Sequence, residues 1–185
     1  MATIIFDFDD TLFDNAKLKK DIQEVFRSFS ITEKHILETY STVRNAYNYN
    51  VHVNAVKNLY NEAPEEKILK ALNDINLSQY LLPEVKNILQ RLNKEHHLVL
   101  LTFGEKEFQE KKAFGSGIEK YFKDEHIHIT QNHKVETIKK IKLKGEVYFV
   151  NDKENENDII KKEFPDFNFI LISPENPVSK INWQI

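Results

Sequence analysis

Ala2-Thr3-Ile4-Ile5-Phe6-Asp7-Phe8-Asp9-Asp10-Thr11-Leu12-Phe13-Asp14 is the stretch whose reading decides the fold. It opens on a short apolar run rich in β-branched residues, and acids enter only where that run ends, which is the pattern of a strand buried on both faces. Ligands of an open α/β sheet bind in the crevice at the carboxyl ends of its strands, so burying this strand presents Asp7 and Asp9 to that crevice. Side chains alternate along an extended chain, which puts both acids on one side if the strand persists that far. The pair suggests a division of labour. Asp7, held ionised, attacks an electrophile such as a phosphoryl group; Asp9, kept protonated by its charged neighbour, gives a proton to the leaving oxygen and later activates water. Thr11 adds a hydroxyl to the same turn. The competing reading is a strand that closes in a solvated acidic turn.

At 185 residues the chain fits one domain with an insertion, or a core with a small accessory lobe, and it can bury a substantial core. Hydrophobic residues at 41% and charged residues at 30% are ordinary for a soluble protein, and a formal charge of -3 predicts attraction to neither nucleic acid nor membrane. The absence of cysteine excludes disulfides, thiolate nucleophiles and thiolate metal sites. Ala2 to Phe6 is too short for a signal-peptide core and lacks a basic leader, and no other apolar run could span a bilayer. A cytoplasmic location is the resulting expectation.

Between about Lys17 and Leu82 no segment reads as a strand. Ile22, Val25, Phe26 and Phe29 recur at helical spacing, as do Ile36, Leu37 and Tyr40, so this segment is expected to hold about four short helices. Thr32 suits a capped start for a helix over 33–40, and Pro64-Glu65-Glu66 the first turn of a later one. Between them Val43 to His52 is rich in aromatics and amides. Arg44 offers a fork to a carboxylate or phosphate there, and Tyr47 and Tyr49 could contact the non-reacting part of a substrate; packing tyrosines with wet hydroxyls are the plainer alternative.

After Leu82, helix and strand alternate. A helix is expected over Pro83 to Glu95, then strands over His97 to Leu101, His126 to Ile129, Glu146 to Val150 and Phe167 to Ile172, with helices from about Glu105, at Lys134 and over Asp158 to Phe164. The second strand ends in Thr102-Phe103-Gly104, which offers a hydroxyl and backbone N–H groups to an anion at the start of a helix. Lys134 stands near a helix start, where the dipole disfavours a cation, so an anion nearby would account for it. The alternation implies a parallel sheet with helices on both faces, whose strand ends would gather Asp7, Asp9, Thr102 and Asp152 on one edge with Lys134 close by. Asp7, Asp152 and a backbone carbonyl make a hard-oxygen site suited to Mg²⁺, with water and a substrate phosphate completing it. His126 and His128 would share a strand face, although no third metal ligand lies nearby in sequence. The lysine pairs at 19 and 20, 111 and 112, 139 and 140, and 161 and 162 read as solvated helix faces.

These motifs, in this order, resemble the haloacid dehalogenase superfamily. Asp7-Phe8-Asp9-Asp10-Thr11 is similar to its first motif, Thr102 after Leu98 to Leu101 to its second, Lys134 to its third, and Asp152 after Val147 to Val150 to its fourth. The resemblance implies a Rossmann-like α/β core from residues 1–15 and 83–185, with a small all-helical cap domain over 16–82. It further implies Asp7 as the nucleophile that forms an aspartyl-phosphate and Asp9 as the general acid and base. Mg²⁺ would be held by Asp7, the Asp9 carbonyl and Asp152, and the phosphate by Thr102, the Phe103 backbone and Lys134. The family's dehalogenases lack the second aspartate, so Asp9 points to phosphate chemistry. Asn151 stands where glycine or a second aspartate is common, and Phe103 where asparagine is frequent. The second acid of the fourth motif is either Glu156, at the usual spacing, or Asp158. The expected activity is a Mg²⁺-dependent phosphomonoester hydrolase acting on a small phosphorylated metabolite. A phosphotransferase or phosphomutase of the same fold and a non-catalytic phosphate-binding regulatory module stay open beside it, as does the oligomeric state.

Overall fold

Thr3–Phe6 is a buried strand, β1, in the computed structural model, which describes residues 1–184. Residue 185, the last of the expected core segment, lies outside the described residues. β1 is the middle strand of a five-stranded sheet ordered β3-β2-β1-β4-β5. The others are β2 (His97–Phe103), β3 (Ile127–Thr130), β4 (Val147–Asn151) and β5 (Asn168–Leu171). Every pairing is parallel, as the alternation of helix and strand implies. The register sets Phe6 opposite Leu100 in β2 and Val150 in β4, so the residues that follow all three emerge at one edge.

The elements between β1 and α5 (Val85–Leu92) are all helices: α1 (Asn15–Ser28), α2 (Glu33–Val43), α3 (Tyr49–Leu59) and α4 (Glu65–Asn73), with 3₁₀ turns at Arg44–Ala46 and Leu77–Tyr80 and an isolated bridge between Phe13 and Leu81. Short polar residues start these helices by accepting from otherwise orphaned backbone donors: Asp14 from Lys17 N (2.8 Å), Thr32 from His35 N (3.4 Å) and Asn48 from Val51 N (2.9 Å). The Asn48 cap draws Tyr49 to His52 into the first turn of α3, so half of the stretch expected as a linker is helix.

The crossovers are α6 (Lys106–Ser116), α7 (Lys134–Ile138) and α8 (Glu154–Glu163). α8 begins four residues before the expected Asp158, because Glu154 and Glu156 favour the positive end of the helix dipole and Asn157 and Ile160 turn inward to pack. α5 starts only at Val85, since Glu84 sits in the left-handed region (φ 64°) and cannot continue a helix through Pro83.

Alternate residues of the sheet feed two cores. Ile4, Phe6, Leu98, Leu100 and Val150 pack on one face, in a cluster that runs on into the helical segment through Phe26, Val53 and Leu72 and into the chain's tail through Val178 and Trp183. The Trp183 ring lies 5.7 Å from that of Phe6, and its N–H donates to Val178 O at 3.2 Å. Ile5, Val99, Leu101 and Phe149 face the other way, covered by Val135 and Ile138 of α7 and Ile160 of α8. Among the described residues no helix is long and apolar enough to cross a membrane.

Candidate active site

Asp7 is the first residue past β1, and its N–H still bonds to Val150 O of β4 (2.9 Å), which fixes its backbone at the carboxyl edge. Its side chain is buried and splits its oxygens. Oδ1 accepts from Lys134 Nζ at 2.7 Å, while the buried Oδ2 has no hydrogen-bond partner. Burial pushes the carboxyl up to about 6, against the pull of the Lys134 ammonium and with a further push from Asp9. The acid whose proton affinity rises is therefore Asp7, the one expected to be held ionised.

Lys134 opens α7 with its ammonium buried between Asp7 Oδ1 and Glu156 Oε2, each at 2.7 Å. Burial alone would lower its pKa; the two carboxylates outweigh that and raise it. They also account for a cation at a helix start. Glu156 in turn accepts from Asn151 Nδ2 (3.0 Å), and that amide also reaches Asn157 Oδ1 (3.1 Å) and Lys153 O (3.2 Å). Asn151 thus ties the end of β4 to the first turn of α8. Glu156, and not the exposed Asp158, is the acid turned toward the site: on a helix the two lie about 200° apart.

Thr102, near the end of β2, is buried with its Oγ1 bonded to no protein group. The donors expected after it are mostly spent. Gly104 N–H bonds to Thr130 O (2.9 Å), and Glu105 caps α6 with its own carboxylate, accepting from Phe108 N (2.8 Å) and Glu107 N (3.2 Å). The N–H groups of Gly104, Glu107 and Phe108 are therefore spent within the protein, and what Thr102-Phe103-Gly104 was expected to offer an anion rests on the Thr102 hydroxyl and the Phe103 backbone. Phe103 leaves its ring half exposed.

Asp152, one residue past β4, carries a buried Oδ1 with no partner. Burial, and then the charges of Asp9 and Asp152, push Asp10 upward, so this edge concentrates negative charge around the left-handed Asp10 turn (φ 57°). Among the described residues no group of three or more His, Cys, Asp or Glu side chains is gathered for a metal. The fit for Mg²⁺ rests instead on two donor-free, buried carboxylate oxygens, Asp7 Oδ2 and Asp152 Oδ1, on an edge with excess negative charge. Hard oxygens with room for water and a phosphate are what that ion takes.

Asp9 is engaged on both oxygens by residues of α6 that the sequence reading did not select. Lys112 Nζ stands 2.5 Å from Oδ1 and Gln109 Nε2 3.0 Å from Oδ2. Asp9 is thus held by a cation and an amide from α6 rather than, as expected, by the charge of its acidic neighbour alone, and each of its oxygens keeps one further site for a proton or another donor. Lys112 is 1% exposed, so the pair at 111 and 112 is not a solvated face. Apolar periodicity could not have found Gln109 and Lys112: on α6 the stripe shared by Phe108, Gln109, Lys112, Ala113 and Ser116 faces inward, and most of it is polar.

A model of haloacid dehalogenase-like hydrolases matches residues 1–159. The chain belongs to the haloacid dehalogenase-like hydrolase family. No curated protein sequence matches it at a significant level. Among solved structures, a candidate haloacid dehalogenase-like hydrolase from Burkholderia xenovorans LB400 superposes with a TM-score of 0.76 at 19% identity, covering 97% of this chain and 89% of that one. A 2-haloacid dehalogenase from Pseudomonas syringae pv. Tomato DC3000 gives 0.65 at 16%, covering 100% and 90%. A phosphatase candidate from Clostridium difficile gives 0.58 at 25%, covering 92% and 84%.

In this hydrolase a cavity of about 150 Å³ lies between the helical segment and the sheet edge, with Asp9, Gln109 and Lys112 on one side and Tyr40, Arg44 and Tyr47 on the other. Arg44 is exposed on its 3₁₀ turn. The Tyr47 hydroxyl is committed to His52 Nδ1 (3.2 Å), so its ring lines the wall while its polar end faces inward. Tyr49 is absent from that wall: it is buried with its ring 5.1 Å from Phe108, the packing residue that was the plainer of the two alternatives. His126 lies in a 3₁₀ turn before β3 rather than on it, its ring 4.0 Å from His97, so it shares no strand face with His128.

Proposed function

We propose that this hydrolase is a Mg²⁺-dependent phosphomonoesterase that acts on a small phosphorylated metabolite through an aspartyl-phosphate. The observation that carries the reading is the second carboxyl, Asp9, opening onto the cavity beside the buried Asp7. A halide leaves as a stable anion and needs no proton, whereas an alkoxide does, so a second positioned acid suits ester cleavage better than dehalogenation.

In this reading the Asp7 carboxylate attacks phosphorus while the ester P–O bond breaks and Asp9 delivers a proton to the departing oxygen. Water then attacks the aspartyl-phosphate, its proton passes to Asp9, and Asp7 is regenerated. Lys134 has three donors, of which Asp7 and Glu156 use two, leaving one for a phosphate oxygen. The unpaired Thr102 hydroxyl supplies another donor, and the Phe103 backbone is assigned to the phosphate as well. Asp7, the Asp9 carbonyl and Asp152 would hold Mg²⁺, which when bound would neutralise phosphoryl charge. Residues 16–82 act as a cap over a core of 1–15 and 83–185, excluding bulk water, and Arg44 and Tyr47 face the leaving group from that cap.

Phosphate release from p-nitrophenyl phosphate and a panel of alkyl monoesters, with and without Mg²⁺, tests the reading. Turnover should need the metal and fall by ~10³-fold or more in Asp7→Asn. Full turnover in that variant would remove Asp7 as nucleophile, and silence of the native chain across the panel would reject the phosphatase assignment.

A further inference from the structure

Both donors that hold the Asp9 carboxyl come from α6, and neither has an ordinary surface role. The Lys112 ammonium is buried 5.3 to 5.6 Å from the ring centres of Phe108, Phe8 and Phe13, and Asp9 is its one carboxylate partner among the described residues. Placing an ammonium among three phenyl rings is costly unless it is paired, so a lysine here is kept for its partner. Gln109 is buried too, and its Nε2 donates to Phe103 O (3.0 Å) as well as to Asp9, which fixes which way the amide faces. The space it fills exists because residue 104 is glycine: a Cβ there would stand 2.5 Å from Gln109 Nε2.

We propose that Lys112 and Gln109 are positioning residues, which hold the Asp9 carboxyl at the cavity wall in the orientation from which it serves the leaving oxygen. The inference rests on the phosphomonoesterase reading. Each carboxylate oxygen has two lone pairs, and α6 takes one of each, leaving the others open; the Asp9 side chain stays 19% exposed, on the cavity. Without the clamp the carboxyl is free to turn about two torsions, and proton transfer depends on the orientation that freedom removes. In the first step a bond forms between an Asp7 carboxylate oxygen and phosphorus, the P–O ester bond breaks, and the Asp9 proton goes to the leaving oxygen to give an alcohol. An alkoxide depends on that proton far more than p-nitrophenolate does, so a misplaced Asp9 shows itself as a sensitivity to the leaving group.

The experiment compares kcat/KM on p-nitrophenyl phosphate and on an alkyl monoester from the same panel for the native chain, Lys112→Met, Gln109→Met, Asp9→Asn and the Lys112→Met/Asp9→Asn double variant. Lys112→Met should lose at least tenfold more on the alkyl ester than on the aryl ester, Gln109→Met should lose in the same direction by less, and the double variant should be no slower than Asp9→Asn alone. Equal losses on the two esters, or none, overturn the positioning role while leaving the phosphatase reading intact. Should Lys112→Met fail to fold, the same ratio in Gln109→Met decides. A native chain that hydrolyses neither ester overturns the phosphatase reading, and the positioning role falls with it.

Discussion

Thr102 carries a buried hydroxyl bonded to no group of the protein, and an unpaired polar atom in that position costs about 1–3 kcal/mol. If its purpose is to meet a phosphate oxygen, stability and function should separate. Thr102→Val is expected to leave resistance to urea unchanged or raise it by about 1 kcal/mol, while weakening competitive inhibition by inorganic phosphate about tenfold. A loss of stability beyond ~1 kcal/mol would mean the hydroxyl has a structural partner and would sink the argument. Thr102, like Asp7 and Asp152, was readable from sequence because a short apolar run ending in a polar residue marks both a strand and its exit. Lys112 and Gln109 were not, since charged and amide residues spaced along a helix look the same whether they face water or a buried carboxylate. Glu156 fell between the two cases: its spacing singled it out, and only the early start of α8 turns it, rather than Asp158, toward Lys134.

α3 shows a different use of a buried polar group. His52 is 1% exposed, packed 4.5 Å from the Phe26 ring and against Tyr40 and Tyr47. Thr39 Oγ1 donates to His35 O (2.7 Å), so it accepts from His52 Nε2 (3.1 Å), and Tyr47 OH donates to Nδ1 (3.2 Å); the pattern assigns a neutral imidazole with its proton on Nε2. Burial lowers its pKa from 6.5 to about 4. Between those values the unfolded chain binds the extra proton, so the contribution is complete above pH 6.5 and is lost as pH falls toward 4. Denaturation at pH 8 and pH 5 should show the native chain losing about 2 kcal/mol more than His52→Gln on acidification. His97, His126 and His128 are lowered too and act in the same direction, so the difference between the two proteins, not the slope of either, is the measurement. A matching loss in both would show that His52 titrates no differently folded than unfolded. The periodicity of Ile36 and Tyr40 marked the helices around this site, but nothing in the run from Val43 to His52 marked a polar cluster inside it, because a capped first turn and a linker use the same amides.

At the scale of the whole molecule, alternation of helix and strand was enough to predict a parallel sheet, whereas the order β3-β2-β1-β4-β5 was not in it: β1, β2 and β4 are each largely apolar on both faces, and only packing decides which of them pairs with which. Packing also decides whether the helical segment is an independent unit. Ile22, Phe26, Ile36, Val53, Ile68 and Leu72 belong to the same buried cluster as Ile4, Phe6 and Leu100 of the sheet, and the seam is bridged by Phe13 and Tyr80, whose rings lie 5.6 Å apart and whose tyrosine hydroxyl donates to Asp21 of α1 (2.7 Å). Exposing a single such side chain costs about 1.5–3 kcal/mol, so peeling the helices from the sheet is a large fraction of the stability of a domain this size. Unfolding is therefore expected to be one transition. The chain has one tryptophan, Trp183, packed against Phe6 in the same cluster, and it reports the sheet, while far-ultraviolet circular dichroism is weighted toward the helices. Urea titrations followed by the two signals should give coincident midpoints and slopes. If helix content falls at lower urea than the Trp183 signal moves, the helical segment unfolds on its own and the shared core does not couple it to the sheet.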